Sequence, residues 1–185
     1  MEPDAALAVR AAAGDREAFG ALVERHQAAV RRLTRAVTGD AHDADDAAQD
    51  AFLSALDRIE TYDAARPFGP WLMRIAANAS IDLVRRRNVR RADALDERTP
   101  SRATSPATHA EGAEIRARLA VALAQLPERQ RVAVTLFDVE GYSHAEIAAV
   151  LEIPEGTVRS DVFHARRSLR AALAVYDPAR RMEER

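Results

Sequence analysis

Residues 143–160 read Ser-His-Ala-Glu-Ile-Ala-Ala-Val-Leu-Glu-Ile-Pro-Glu-Gly-Thr-Val-Arg-Ser, and this stretch decides the fold of the carboxy-terminal part of the chain. Ser143 and Glu146 have the spacing of a capping box, in which the serine hydroxyl accepts from the Glu146 amide and the glutamate carboxylate accepts from the Ser143 amide. A short helix is therefore expected to begin at Ser143 and to break before Pro154. A second helix follows with Val158 on its inner face, which completes the order helix, turn, helix.

The outward face of this second helix is polar and rich in arginine. An arginine can pair with guanine through two hydrogen bonds, a hydroxyl can bind phosphate or a base, and an exposed aromatic ring can contact a thymine methyl group. A helix-turn-helix with such a face is typical of proteins that read duplex DNA, and a helical hairpin with a solvated arginine face is the alternative. The candidate DNA-reading residues are Thr157, Arg159, Ser160, Phe163, His164, Arg166 and Arg167.

Asp161 places a negative charge in the middle of the same helix. Its carboxylate could repel phosphate, accept a hydrogen bond from a cytosine amine, or pair with an arginine of the protein. The sequence leaves these three interpretations open.

The other helices follow from apolar residues that recur at spacings of three and four. In the amino-terminal part, this pattern predicts one long helix that ends at Gly39, a second over about 43–59 and a third that begins near Pro67. A helix over 114–125 and another that Pro127 opens precede the helix-turn-helix. No alternating apolar pattern of the strand type occurs, so the predicted fold is all-α.

Two small helical domains joined by a flexible linker are expected. A stretch rich in Pro, Ser and Thr, without apolar periodicity, separates the two groups of helices. We therefore divide the chain into a domain at 1–90, a linker at 91–112, a domain at 113–175 and a tail at 176–185.

Composition excludes several classes of function. The chain has no cysteine, which excludes disulfides and thiolate chemistry, and its five scattered histidines offer no metal-ligand spacing, so no metal or cofactor is expected. No apolar run reaches the roughly 18 residues of a membrane-spanning helix, and we expect a soluble cytoplasmic protein without membrane insertion. Residues 1–65 carry a net charge of −6 and residues 156–185 a net charge of +3, which indicates two different partners.

Two further stretches offer binding chemistry. Asp43, Asp46 and Asp50 share one helix face but lack the glycine turn and terminal glutamate of a calcium loop, so either a solvated helix start or a docking face for a basic protein is indicated. The aromatic residues, Asn78 and clustered arginines of 62–87 can hold single-stranded DNA through stacking and charge. Two of those aromatic residues share the apolar spacing of a core, namely Phe68 and Trp71.

Three motifs, in this order, resemble the extracytoplasmic-function group of bacterial sigma factors, and the resemblance covers residues 15–173. The first is the acidic stretch 43–53, Asp-Ala-Asp-Asp-Ala-Ala-Gln-Asp-Ala-Phe-Leu. The second is 67–78, Pro-Phe-Gly-Pro-Trp-Leu-Met-Arg-Ile-Ala-Ala-Asn, with an aspartate and paired arginines after it. The third combines Leu-Pro-x-x-x-Arg at 126–131 with the stretch 143–160.

The resemblance implies a subunit without enzymatic activity that joins core RNA polymerase and directs it to promoters. The domain at 1–90 would be sigma region 2 and the domain at 113–175 sigma region 4. The implied partners are the clamp helices of the largest polymerase subunit, the flap region, promoter DNA and an inhibitory anti-sigma factor. Regulation by environmental or envelope stress is also implied.

The resemblance assigns roles to individual residues. Those implied to bind core polymerase are Asp46, Gln49, Asp50, Phe52 and Leu53. Those implied to bind the minus-ten element as melted non-template strand are Tyr62, Arg74, Asn78, Asp82, Arg85 and Arg86. The helix-turn-helix at 143–167 would read the minus-thirty-five element as duplex through the outward residues named above.

The chain departs from the family's pattern at Ala47, Asp161 and His164, and Glu152 stands where a turn glycine is frequent. A left-handed backbone at Glu152 would cost about 1–2 kcal/mol. Two competing hypotheses are a free-standing helix-turn-helix regulator and an enzyme that uses the aspartate cluster. Binding of palindromic duplex by a dimer without polymerase would favour the first. Loss of a metal-dependent activity on Asp46→Ala would favour the second.

Overall fold

A computed structural model describes residues 2–93 and 110–174 of the chain, and every regular element within these ranges is helical. The predicted all-α fold is therefore confirmed. No helix within these ranges is long and apolar enough to cross a membrane. The helices in chain order are α1 (Asp4–Ala12), α2 (Arg16–Thr38), α3 (Ala41–Asp57), α4 (Phe68–Asp93), α5 (Ala110–Gln125), α6 (Glu128–Asp138), α7 (His144–Leu151) and α8 (Glu155–Leu173), with a 3-10 turn at Ile59–Thr61.

Short-range capping sets the bounds of the amino-terminal helices. The Asp15 side chain accepts hydrogen bonds from two amides in the first turn of α2, and Asp40 does the same for α3. Between these helices Gly39 has a φ of 72°, the left-handed conformation that a glycine adopts without strain, so α2 ends there as predicted. The predicted helix over 43–59 begins slightly earlier and passes into the 3-10 turn at its end.

Helix α1 has no counterpart among the predicted helices. Its buried residues are Leu7, Ala8 and Ala11, and the two alanines give a weak apolar signal. The helix is held on α2 by Asp4, which accepts a hydrogen bond from Arg25 and pairs with His26, both at 2.7 Å.

The predicted linker is partly helical at its ends. Helix α4 continues to Asp93 and α5 begins at Ala110. The remainder of the linker, 94–109, and the tail at 176–185 lie outside the described residues.

The two groups of helices pack against each other, which the sequence does not predict. Helix α7 packs on α4, and α6 packs on α2. As a result, Ile147 and Val150 of α7 belong to the same buried cluster as Leu72 and Met73 of α4. Full burial of an aliphatic side chain stabilises a fold by about 1.5–3 kcal/mol, and part of that burial comes from the packing of the two groups.

Arg131 connects the two groups through backbone carbonyls. It is 6% exposed and donates to the Val37 carbonyl at the end of α2. It also donates to the carbonyls of Ala124 and Leu126, at 3.1 and 2.8 Å. A cation at the carboxy-terminal end of a helix is favoured by the helix dipole. The arginine of the Leu-Pro-x-x-x-Arg motif therefore has a structural role.

Candidate nucleic-acid interface

The turn at the start of α7 has the predicted capping box. The Ser143 hydroxyl accepts from the Glu146 amide at 3.2 Å, and the Ser143 amide donates to the Glu146 carboxylate at 2.8 Å. The hydrogen bond from the Ser143 side chain holds the pKa of Glu146 below its ordinary value. This box fixes where α7 begins.

The turn between α7 and α8 contains a residue in left-handed conformation. Glu152 has φ 54° and ψ 43°, and Ile153 donates its amide to the Ala148 carbonyl at 3.2 Å. An L residue other than glycine pays about 1–2 kcal/mol for this conformation. Pro154 then starts α8 with its φ of −59°.

The outward residues of α8 form a face that is available to a ligand. Phe163 is 62% exposed, which is unusual for an aromatic ring, and within 2–93 and 110–174 its one ring contact is edge-on with His164. Arg159 pairs with Glu155 one turn earlier at 2.6 Å. Arg166 pairs with Asp138 of α6, and its guanidinium lies 4.8 Å from the centre of the Phe137 ring. Ser160, His164 and Arg167 are exposed and Thr157 is half-buried.

Asp161 does not belong to this face. It is 4% exposed and lies between α8 and α6, where Arg129 donates to its carboxylate at 2.6 and 3.3 Å. This is the third of the interpretations that the sequence left open. The hydrogen bond that Arg129 donates to Asp161 raises the pKa of Arg129. Asp161 follows Val158 by three positions, and that spacing is the sequence signal for an inward direction.

The candidate minus-ten residues lie along α4 and the loop before it. Asn78, Asp82, Arg85 and Arg86 are exposed on α4. In the preceding loop, the half-buried Tyr62 donates its hydroxyl to the Arg66 carbonyl at 2.5 Å. Tyr62 also packs against Phe68 and Trp71, with ring centroids 5.3 and 5.4 Å away. Phe68 is 3% exposed and Trp71 packs on the core, so both are core residues.

Arg74 is a candidate minus-ten residue that binds a side chain from the other group of helices. Its guanidinium donates to the Glu152 carboxylate at 2.9 Å, across the boundary between the two groups of helices. A second bridge joins Arg32 to Glu140 at 2.7 and 2.8 Å. Sequence reasoning missed both, because neither pair has a local signal.

The candidate polymerase-binding residues lie on α3. Asp46, Gln49 and Asp50 are exposed and line a cleft against Leu83, Arg86 and Arg90 of α4. Leu53 is 53% exposed and lines an adjoining cleft, whereas Phe52 is half-buried against the core. Asp43 differs from the other two aspartates, because Arg87 binds it at 2.5 Å.

Known proteins with similar sequences point to one family. Residues 22–90 match sigma-70 region 2, and residues 116–169 match sigma-70 region 4. The ECF RNA polymerase sigma factor SigE of Mycolicibacterium smegmatis is 38% identical over 90% of this chain and 67% of its own length. The ECF RNA polymerase sigma-E factor of Escherichia coli K12 is 31% identical over 90% of this chain and 92% of its own length.

Solved structures agree with this assignment. CnrH, solved in complex with the cytosolic domain of CnrY, has a TM-score of 0.72 and 32% identity, covering 94% of this chain and 99% of CnrH. RpoE of Bartonella quintana, solved with the anti-sigma factor NepR, shares the fold with a TM-score of 0.71 at 24% identity, over 85% of this chain and 97% of RpoE. The chain therefore belongs to the extracytoplasmic-function family of RNA polymerase sigma factors.

Proposed function

We propose that this sigma factor binds core RNA polymerase, directs it to promoters through two separate DNA-facing surfaces, and has no catalytic activity of its own. The observation that carries the proposal is the exposed α8 face, with Phe163 62% exposed beside two arginines held by carboxylates. In a solvated hairpin, an exposed aromatic ring would leave apolar surface in water without a function. In a DNA-reading helix, the same ring can contact a thymine methyl group. We assign this face to the minus-thirty-five duplex.

Arg159 and Arg166 would exchange their protein partners for DNA when α8 enters the major groove. In the free protein their carboxylate partners, Glu155 and Asp138, hold the two guanidiniums in ion pairs. Surface pairs of this kind stabilise a protein by about 0–1 kcal/mol, so exchanging them for guanine or phosphate contacts costs little. The remaining residues of this face in the proposal are Thr157, Ser160, His164 and Arg167.

The α4 face with the Tyr62 loop is assigned to the melted minus-ten strand. Asn78 can bind a base edge, while Arg85 and Arg86 supply exposed positive charge for the phosphates. Removing a base from its stack costs a few kcal/mol. A pocket shaped for one base offsets this cost for that base and not for the others. Phe68 and Trp71 pack edge-on and tilted against Tyr62 and hold its half-buried ring in place beside this surface.

The acidic face of α3 is assigned to the polymerase. Asp46 and Asp50 are exposed, Leu53 presents apolar surface beside them, and a basic helical partner would match both properties. In the proposal this partner is the clamp-helix region of the largest subunit, and the region 4 domain meets the flap region. We divide the chain accordingly into region 2 at 1–90 and region 4 at 113–175.

A cytoplasmic location and control by a cognate anti-sigma factor under environmental or envelope stress complete the proposal. CnrH was solved with the cytosolic domain of CnrY, and this chain resembles CnrH over 94% of its length, which supports an inhibitor of the same kind.

The proposal is tested by run-off transcription with core polymerase on a library of promoter fragments. We expect the chain to copurify with the core enzyme and to produce transcripts that start at defined positions. Failure to stimulate any transcript, together with tight binding of a palindromic duplex by a dimer, would instead favour a free-standing regulator.

A further inference from the structure

The turn between α7 and α8 sits on the face of α4 that the proposed function gives to minus-ten DNA. The Glu152 carboxylate accepts from Arg74 at 2.9 Å, with the two side chains 70% and 39% exposed. A carboxylate in this position makes the same contact to the guanidinium that a DNA phosphate would make. Glu152 and the minus-ten strand therefore need the same donor.

A second contact brings the loop before α7 onto the start of α4. The Tyr142 hydroxyl lies so close to Gly69 that a Cβ atom at Gly69 would be 2.8 Å from it. Burial raises the pKa of Tyr142 to about 12. The approach of Tyr142 depends on the absence of a side chain at Gly69, within the Pro-Phe-Gly-Pro-Trp stretch of the proposed minus-ten surface.

A third contact secures the same loop farther away. Arg32 of α2 binds both oxygens of Glu140, whose side chain is 6% exposed. A bidentate pair of this kind fixes orientation as well as position. Arg32 lies outside every DNA or polymerase surface assigned above. A change at Arg32 therefore affects the packing of the two groups of helices and none of those surfaces.

Promoter geometry is incompatible with this arrangement. The minus-ten and minus-thirty-five elements are about 25 base pairs apart, which at about 3.4 Å per pair is about 85 Å. In this structure, Glu152 in the turn between α7 and α8 binds Arg74 of α4 directly. One conformation cannot place α4 and α8 on the two elements at once, so the two groups of helices must separate before both elements are bound.

We propose that the α4 face around Arg74 is an intramolecular docking surface for the turn at 151–154, whose Glu152 side chain competes with the minus-ten strand. This inference rests on the proposed function. The left-handed backbone of Glu152 fits the idea, because an unstrained glycine would provide the turn but no carboxylate. Only molecules in which the turn is undocked can bind the minus-ten strand. The apparent affinity of the free chain for that strand is therefore reduced in proportion to the docked fraction.

The test compares Glu152→Gln with Glu155→Gln in the full-length chain. Both changes remove one negative charge and keep the side-chain size, but Glu155 pairs with Arg159 within α8, whereas Glu152 pairs with Arg74 of α4. A third variant, Arg32→Gln, breaks the distant contact. The ligand is a fluorescein-labelled single strand of about 12 nucleotides from the minus-ten region of a promoter mapped by run-off transcription.

We expect Glu152→Gln and Arg32→Gln to bind this strand about twofold to fivefold more tightly, the factor that a partly exposed ion pair supplies, and Glu155→Gln to bind it as the unchanged chain does. Run-off transcription with core polymerase should stay within about twofold for Glu152→Gln and Arg32→Gln, because polymerase already holds the two domains apart.

Opening is measured separately from DNA. The chain has no cysteine, so spin labels attach uniquely to Ala28→Cys on α2 and Ala149→Cys on α7, both exposed positions. We expect a single short distance in the otherwise unchanged chain and an added long-distance population with Glu152→Gln.

Identical strand affinity and identical label distances in all variants would overturn the docking proposal while leaving the transcription result intact. A gain for Glu152→Gln without a change in distance would also overturn it, because the carboxylate would then only repel the strand. An absence of transcription with the unchanged chain would overturn the proposed function instead, and the distances would still be measurable.

Discussion

The two proposed DNA-facing surfaces differ in what occupies them. On α8, Arg159 and Arg166 are paired with carboxylates of the same domain, and Phe163 faces solvent. On α4, Arg74 is paired with Glu152 from the other domain. The α8 surface is therefore available whenever region 4 is folded, whereas the α4 surface depends on how the two domains are arranged. One chain thus carries a surface paired only within its own domain and a surface that the other domain contacts at Arg74.

The largest expected effect comes from removing the cation that joins the two groups of helices. Arg131→Met takes away hydrogen bonds to the carbonyls of Val37, Ala124 and Leu126. Leaving a buried carbonyl without its charged donor costs about 1–3 kcal/mol. We therefore expect the free energy of unfolding to fall by roughly 3 kcal/mol.

Urea denaturation measures this loss, with the exposed Arg35→Met as the control that should change stability by less than about 0.5 kcal/mol. If Arg131→Met changes the free energy of unfolding by less than about 0.5 kcal/mol, as the control should, Arg131 does not have the structural role assigned to it. It would also weaken the contrast between the two surfaces, because packing would then depend less on Arg131.

Arg159→Ala should weaken binding of the α8 surface to duplex DNA. If Arg159 pairs with a guanine, the loss is about 1–3 kcal/mol and is confined to one base pair of the minus-thirty-five element. Because this surface is uncovered in the free chain, the loss should be the same with and without polymerase. Quantitative binding to a set of single-base promoter variants checks this, and an equal loss on every sequence would make Arg159 a phosphate contact.

Asp50→Arg should weaken association with core polymerase and leave the α8 surface unaffected. The change inverts the charge on the exposed face of α3, and we expect at least a tenfold loss of affinity, or about 1.4 kcal/mol. Glu114→Arg, an equal charge change on the exposed side of α5, is the matched control. Unchanged pull-down of polymerase by Asp50→Arg would remove the assignment of this face.

The smallest expected effect separates backbone strain from docking at Glu152. Glu152→Gly and Glu152→Gln both lose the contact to Arg74, but glycine also removes the left-handed strain. We expect the glycine variant to be more stable than the glutamine variant by about 1 kcal/mol, and both to open equally. Thermal unfolding measures the difference, and equal melting temperatures would show that the turn is unstrained.

Local signals made the helices and the helix-turn-helix predictable. The capping box at Ser143 and the glycine at Gly39 act within a few residues, so the sequence indicates them directly, and the structure confirms both. The direction of Asp161 was harder to predict, because its partner is 32 residues away and belongs to another helix. Helix α1 was missed because its buried alanines barely differ from exposed ones in an alanine-rich chain.

The packing of the two domains could not be predicted for a different reason. Ile147 and Val150 carry the same apolar spacing whether they fill their own domain or cover α4. The ion pairs at Arg74 and Arg32 span 78 and 108 residues, and no pattern along the sequence connects such distant positions. The roles of the polymerase-binding and DNA-binding residues stay predictions.

The pairing of Arg129 with Asp161 limits how this protein can be re-engineered. The residues that face outward on α8 can be exchanged as a set to change promoter preference, since none of them is buried. Position 161 is not one of them. A recognition helix transplanted from a relative with a cation at that position would set two positive charges against each other beneath the helix, so position 129 must be exchanged together with it.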